Sequence, residues 1–318
     1  MATFIKIIII CLLLALLFGC TKPKINAADE NTWTNFIVPT TTDLNLLTSH
    51  VDNYEYFLAG QKYIYKFTTY EGLNKYLNTF PNWYKCEGKC PSREKYVQIV
   101  VSEPQSQIQL KKITNDFNKL IFSEEDKVRA LVSLVQYIDY NVNKINSNEL
   151  YPYKVLFDNE GTTNEKVMLL LFLLKNMGYR TAYIYFPDLN HSAVGVGCDA
   201  KYDFRDSGYC YIETTSPLII TDTNIGIPIS TSIFNAYLIS TGIDFNAFDD
   251  SRAISKRTSY LTHIGDINFN YKELYNFNTY WGLNKKSCDN NLELCIGLCW
   301  NKCTTGTLKC DLNGVHCQ

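Results

Sequence analysis

Apolar residues recur along this chain with two different periods, which predict helices in some segments and strands in others. A stripe with helical spacing runs through residues 128–138 and follows Ser123, whose hydroxyl can cap the helix. A second helix is predicted to begin at Thr163, as its cap, and to run to Asn176, with Gly178 ending it. Both patterns are typical of helices that bury one face in a core.

Alternating β-branched and aromatic residues predict the strands. Early in the chain they favour strands at 63–67 and 96–101, with a short helix over 72–80 between them. Residues 217–228, and then residues 231–240, are expected to cover the edge of the predicted sheet. A helix followed by antiparallel strands gives an α+β fold class. Three more strands follow the second long helix, at 181–186, 191–196 and 209–214.

Composition describes a globular protein rather than a disordered one. The chain has 318 residues, of which 46% are hydrophobic and 19% are charged, so apolar material for a core is ample. The formal net charge is only -2, and the basic residues do not cluster into a stripe. Nucleic acid is therefore excluded as an expected partner.

The first twenty residues form a predicted targeting segment. Lys6 precedes an apolar run over residues 7–18, which is shorter than the ~20 residues that span a bilayer, so a signal peptide is expected. The run ends at Leu17-Phe18-Gly19-Cys20, which resembles a prokaryotic lipobox. That resemblance implies cleavage before Cys20 and attachment of diacylglycerol to its thiol, with polar residues 21–45 as a tether. An ordinary signal peptide or an uncleaved anchor is the alternative.

Cysteine usage agrees with export, because twelve cysteines are unusual for a reducing compartment. Setting aside the cysteine inside the leader and Cys20 leaves ten, an even number that permits complete pairing. We expect one bridge between Cys86 and Cys90 in a loop with Gly and Pro, and another between Cys198 and Cys210 at a loop base. A redox-active pair is the alternative.

The other six cysteines lie in a short tail, residues 284–318. So short a segment cannot bury a sufficient core, and it is expected to depend on disulfides. A metal site is the alternative, because three cysteines recur every four residues and His316 adjoins Cys317. The closely paired spacing that is typical of zinc ligands is missing, so neither a metal nor a cofactor is predicted. The six are Cys288, Cys295, Cys299, Cys303, Cys310 and Cys317.

Three short motifs occur in order in the centre of the chain. They are Tyr151-Pro152-Tyr153, His191-Ser192-Ala193-Val194-Gly195-Val196 and Tyr211-Ile212-Glu213-Thr214-Thr215, with the apolar helix after Thr163 between the first two. In combination they resemble the transglutaminase-like family, in particular its prokaryotic branch, over residues 123–228. The resemblance implies a papain-like fold, a helix packed on an antiparallel sheet, with a triad of Cys, His and Asp or Glu.

The resemblance places Thr163, His191 and Glu213 at the three triad positions. In the family, a thiol at a helix N-terminus is favoured as thiolate by the helix dipole and by an imidazolium that a carboxylate orients. This chain has Gly161-Thr162-Thr163 where members have Gly-Asp-Cys. A threonine hydroxyl is far less acidic than a thiol, and threonine nucleophiles normally use a free N-terminal amine. We therefore expect an inactive centre.

Another cysteine is not expected to supply the missing thiol. At about 3.3 Å per residue along a strand, Cys198 lies roughly 23 Å beyond His191. Cys210 has an odd spacing from Glu213, so its side chain is expected on the opposite face of the strand. The His191 and Glu213 pair also has a structural interpretation, as a buried hydrogen-bonded pair that fixes the hairpin.

Two classes of function follow. The preferred one is an exported, lipid-anchored and catalytically inactive protein that binds a peptide, a glycan or another envelope protein. The alternative is an active acyl transferase or peptidase that uses Thr163, with His191 as base and Glu213 as its orienting group. The predicted organisation is a leader, a tether, a mixed region, a transglutaminase-like domain and a tail, at 1–20, 21–45, 46–122, 123–283 and 284–318.

Overall fold

A computed structural model gives the architecture. It describes residues 49–79, 90–141, 143, 151–264, 266 and 269–284, and the backbone of four short strands between 292 and 317. The leader, the tether, Cys20 and Cys86 lie outside these residues. Within the ranges just given, no helix combines the length and the hydropathy needed to cross a membrane.

The described chain begins with a hairpin and a short helix. Strands β1 (Ser49–Leu58) and β2 (Gln61–Tyr70) pair in antiparallel register. Their turn uses two left-handed residues, Ala59 and Gly60, which matches the twist of a tight hairpin. Helix α1 (Glu71–Leu77) follows directly. The predicted strand at 63–67 and the predicted helix at 72–80 are both confirmed.

The strand predicted at 96–101 is wrong, because the chain forms helix α2 (Arg93–Val100) there. The Ser92 hydroxyl caps this helix by accepting from the Lys95 backbone N–H at 3.2 Å. The buried residues Tyr96, Val97 and Val100 lie on one helical face. Tertiary burial of that face therefore overrides the β propensity of the segment.

Two longer helices follow, α3 (Pro104–Asn118) and α4 (Glu124–Tyr137). The Ser123 hydroxyl accepts from the Asp126 backbone N–H at 3.1 Å, which confirms the predicted cap of α4. The chain then forms β3 (Asp139–Tyr140), α5 (Pro152–Asp158) and β4 (Glu160–Gly161), with β3 and β4 parallel.

The centre of the fold is one buried helix packed on an antiparallel sheet. Helix α6 (Thr163–Asn176) is buried on all sides over residues 165–174, and Gly178, with φ +86°, ends it as predicted. The sheet has the order β7, β6, β5, β8. This architecture confirms the α+β class, and residues 235–240 join the sheet edge as β8. The strands are β5 (Thr181–Phe186), β6 (His191–Gly197), β7 (Tyr209–Ile212) and β8 (Asn235–Ser240).

The last helices form a pair, α7 (Phe248–His263) and α8 (Tyr271–Tyr280). In the tail, two hairpins pair β9 (Leu292–Cys295) with β10 (Leu298–Asn301), and β11 (Leu308–Asp311) with β12 (Gly314–Cys317). Cys288 and Cys303 lie outside the described residues, and only the backbone of the other tail cysteines is described. The pairing of the six stays a prediction.

One buried cluster links the two halves of the described chain. It contains Tyr54 and Phe67 of the first hairpin together with Leu170 of α6 and Ile212 of β7. The first hairpin therefore packs on the same core as the central helix and sheet. The division at residue 123 stays a prediction.

Candidate active site

The start of α6 is held by a capping box. The Thr162 backbone N–H donates to Glu165 Oε2 at 2.8 Å, and the Thr162 side chain accepts from the backbone of Glu165. The predicted cap at Thr163 is therefore wrong by one residue. A capping box joins the cap residue to the residue three positions later, and Glu165 stands three positions after Thr162. Thr163 is the first residue of the helix, half-buried, and its hydroxyl is not needed for capping.

Asn164 fixes the start of α6 against the sheet. Its Oδ1 accepts from the Tyr183 hydroxyl at 2.7 Å and from the Ser192 hydroxyl at 3.4 Å. Thr163 and His191 each lie one residue from this contact, so the helix N-terminus and the first residue of β6 are neighbours. In the described part of the chain, no hydrogen bond joins the Thr163 hydroxyl to the His191 ring.

The structure brings His191 and Glu213 into direct contact. His191 Nε2 lies 3.1 Å from Glu213 Oε2, with the His191 side chain 11% exposed and the Glu213 side chain fully buried. His191 begins β6, and Glu213 follows β7, the next strand of the sheet. Their adjacency therefore follows from the strand pairing.

Glu213 is held on both of its oxygens. Oε1 accepts from the backbone N–H groups of Thr214 and Thr215 and from the Thr215 hydroxyl, at 2.7 to 2.9 Å. Oε2 accepts from the Tyr211 hydroxyl at 2.7 Å as well as contacting the His191 ring. Sequence reasoning missed Tyr211 and Thr215 as members of the site. The signal was present for Tyr211, because residues two apart on a strand point to the same face.

The environment keeps this carboxylate ionised. Burial alone raises the pKa of Glu213, but the hydrogen bond and charge of His191 and the hydrogen bonds from Thr215 outweigh it and lower the pKa to about 2. Burial, followed by the negative charge of Glu213, raises the pKa of Tyr211, so that hydroxyl stays a donor. The site is a fixed anion with donors around it.

The ionised carboxylate also sets the tautomer of His191. A carboxylate only accepts, so Nε2 carries the proton in the neutral ring and Nδ1 carries the lone pair. Nδ1 has no hydrogen-bond partner among the residues that the structure describes. It is the ring nitrogen that is available to act as a base.

Neither Cys198 nor Cys210 supplies a free thiol to the site. Cys198 and Cys210 form a disulfide with a Cα–Cα distance of 5.7 Å, which confirms the predicted bridge. Both residues are buried, and Cys210 pairs across the strands with Val196. Cys90 is also disulfide-bonded. Within the described part of the chain, no group of three His, Cys, Asp or Glu side chains is placed to hold a metal ion.

Comparison with known proteins gives little to add. No family model matches the chain, and no curated protein matches it. Two solved structures are similar to part of it. One is a candidate protease from Parabacteroides distasonis, at 13% identity and a TM-score of 0.32, over 62% of this chain and 40% of that one. The other is a candidate cysteine protease from Cytophaga hutchinsonii, at 15% identity and a TM-score of 0.27, over 55% of this chain and 64% of that one.

The chain thus spans less than two thirds of either solved structure, and likeness this low carries no argument about activity. The site comprises a helix start at Thr163, an imidazole at His191 and the buried carboxylate of Glu213 in contact with it.

Proposed function

We propose that this chain is an exported, lipid-anchored, transglutaminase-like protein whose acyl-transfer centre is inactive and whose role is binding or support of the cell envelope. One observation carries the proposal. The base His191 and its partner Glu213 are in contact, yet the position at the helix start that needs a thiol holds Thr163.

The helix start cannot make Thr163 an effective nucleophile. A free cysteine thiol has a pKa of about 8.5, and a hydroxyl is many orders of magnitude less acidic. The N-terminus of a helix favours an anion by about 2 kcal/mol at most at a partly buried site, which corresponds to roughly 1.5 pKa units. A threonine also lacks the adjacent free amine that activates N-terminal threonine nucleophiles.

The pair of His191 and Glu213 has a structural role that explains its presence without catalysis. Glu213 is fully buried, and removal of one partner of a buried pair leaves an uncompensated charge, which costs about 3–5 kcal/mol. The pair also ties β6 to the segment after β7. The contribution of the pair to the stability of the sheet is therefore a sufficient reason for both residues to be present.

Export and lipid anchoring rest on the sequence of the leader and on the use of cysteine. An apolar run that ends in Leu-Phe-Gly-Cys20 favours lipidation, and disulfides favour an oxidising compartment. The buried bridge between Cys198 and Cys210 agrees with that compartment.

One observation favours the alternative, an active acyl transferase or peptidase. His191 is oriented by Glu213 and has Nδ1 without a protein partner in the described chain, next to the helix start that bears Thr163. This is the arrangement that a base needs to take a proton from a nucleophile.

The decisive comparison uses three proteins, wild type, Thr163→Ala and Thr163→Cys, in assays of amide hydrolysis and amine incorporation. We expect no activity in wild type or in Thr163→Ala. Activity in wild type that disappears in Thr163→Ala overturns the proposal and establishes the alternative.

The Thr163→Cys protein also tests the geometry. We expect its new thiol to react with iodoacetamide at a lower pH than a free cysteine does, because His191 and the helix N-terminus favour the thiolate. The matched control adds His191→Ala to Thr163→Cys and should move the reaction to a higher pH, since only the effect of the helix N-terminus is left. An identical pH profile in both proteins would show that His191 does not face position 163.

Lipid anchoring is tested separately. We expect a Cys20→Ala protein to lose both its acyl group and its partition into detergent. A Cys20→Ala protein that keeps an acyl group refutes the anchor while leaving the question of catalysis untouched.

A further inference from the structure

A cavity of about 720 Å³ adjoins the candidate active site, because Gln136 in its wall donates to the backbone carbonyl of Glu213. Helices α4, α7 and α8 line it, with residues 57–59 of the first hairpin and residues 218–220. None of Thr163, His191 and Glu213 lines it. Its volume lies in the range that is typical of pockets for small ligands.

The helix that forms one wall is held by buried ion pairs together with a small apolar cluster, in which Ala253 packs with Ile219 and Phe277. Helix α7 has 16 residues, of which only Asp250 and Ala253 are buried. Arg129 of α4 contacts Asp250 at 2.7 Å, and Arg257 of α7 contacts Asp222 at 2.6 Å, with all four side chains largely buried. These contacts hold the wall in place beside open space, so the cavity is a built feature of the fold.

The charged groups that line the cavity are mostly paired with each other. The Arg129 guanidinium contacts both Asp126 and Asp250, and Lys256 contacts Glu273. A charged ligand has to compete with a partner that is already in place, whereas a neutral polar ligand does not. The pairing therefore favours a neutral ligand.

Aromatic and planar polar side chains supply the other contacts. Phe277 and Tyr280 of α8 line the cavity together with Trp281, the residue that follows this helix. Gln136 of α4 and Asn276 of α8 line it as well. The Gln136 nitrogen donates to the carbonyls of residues 213 and 218, which leaves its oxygen to accept from a ligand. Aromatic faces contact the C–H face of a sugar ring, and planar polar groups bind neighbouring hydroxyls.

A peptide fits the cavity less well than a sugar. Most of the wall consists of side chains from helices, whose main-chain groups are paired within the helix. An extended peptide gains much of its affinity from main-chain hydrogen bonds to a strand edge. Few such partners are available here.

We propose that this cavity binds a short neutral oligosaccharide. The proposal gives the binding role under the proposed function a location and a ligand class, and it rests on that role. Tyr280 and Asn276 supply contacts at its exposed part, because both are exposed residues of α8 that line it.

The test is titration calorimetry of the whole chain with three neutral trisaccharides, maltotriose, cellotriose and chitotriose. We expect at least one to bind, and Tyr280→Ala and Asn276→Ala each to weaken that binding by about tenfold. Tyr275→Ala is the matched control, since Tyr275 is an exposed tyrosine of the same helix that does not line the cavity. It should leave the dissociation constant within about twofold.

Melting temperatures of the three variants show whether each protein is folded. Absence of binding by all three trisaccharides overturns the proposal, and so does binding that Tyr280→Ala and Asn276→Ala leave unchanged. Binding of short peptides in the same cavity instead of sugars also overturns it. The amide hydrolysis assay tests the inactive centre, and the calorimetric titration tests the sugar site. Failure of one proposal can therefore be distinguished from failure of the other.

Discussion

The surroundings of the buried Glu213 carboxylate predict how much its charge contributes to the free energy of unfolding. Glu213→Gln keeps the size of the side chain but removes its charge. The new amide nitrogen is a donor and faces the Tyr211 hydroxyl and His191 Nε2, which are donors themselves. The variant therefore loses both a charge interaction and the match of donors to acceptors.

The magnitude follows from the pKa of Glu213, which lies at about 2 in the folded protein against an ordinary value of 4.5. Because one pKa unit corresponds to about 1.4 kcal/mol, the ionised carboxylate stabilises the fold by about 3 kcal/mol at neutral pH. A depressed folded-state pKa gives stability that is complete above the unfolded-state value. That contribution is lost as the pH falls from about 4.5 towards 2.

The assay is urea unfolding of wild type and Glu213→Gln between neutral pH and about pH 2. We expect the variant to be about 3 kcal/mol less stable at pH 7 and the difference to shrink in acid. Asp188→Asn, at an exposed carboxylate in the turn before His191, is the control and should change stability by less than about 0.5 kcal/mol. Equal stability of wild type and Glu213→Gln at pH 7, or a difference independent of pH, would refute the reasoning.

Three further predictions concern the same part of the fold and are checked by thermal or urea unfolding. Thr162→Ala should cost about 1 kcal/mol because it removes the cap of α6, whereas Thr163→Ala should change stability by less than about 0.5 kcal/mol; equal effects would contradict the capping box. Tyr211→Phe should cost about 1–3 kcal/mol by removing a hydrogen bond to a buried charge, and an unchanged midpoint would argue against that bond. Replacing both Cys198 and Cys210 by Ser should lower the free energy of unfolding by about 2–4 kcal/mol. A reductant should then destabilise wild type more than this variant, and equal destabilisation of the two proteins would count against the bridge.

Local signals in the sequence were sufficient to predict the helices and strands around the site. Ser123 caps α4 as expected, and the strands that carry His191 and precede Glu213 lie where alternation places them. The strand predicted at 96–101 was wrong because the β-branched residues there are buried on one face of a helix. Whether such a face is buried depends on the elements that pack against it. A single sequence does not contain that tertiary information.

The cavity was beyond sequence reasoning for a similar reason. Its walls come from segments more than a hundred residues apart, such as α4 and α8. The ion pair between Arg129 and Asp250 that holds one wall joins residues whose spacing has no local signature. Contacts of this kind follow from the topology and not from any motif.

The capping box at the start of α6 separates the stability of the fold from its chemistry. Residues 162 and 165 make the capping box, so the Thr163 side chain takes no part in capping the helix. The residue at position 163 can therefore vary in evolution without a loss of folding that selection would remove.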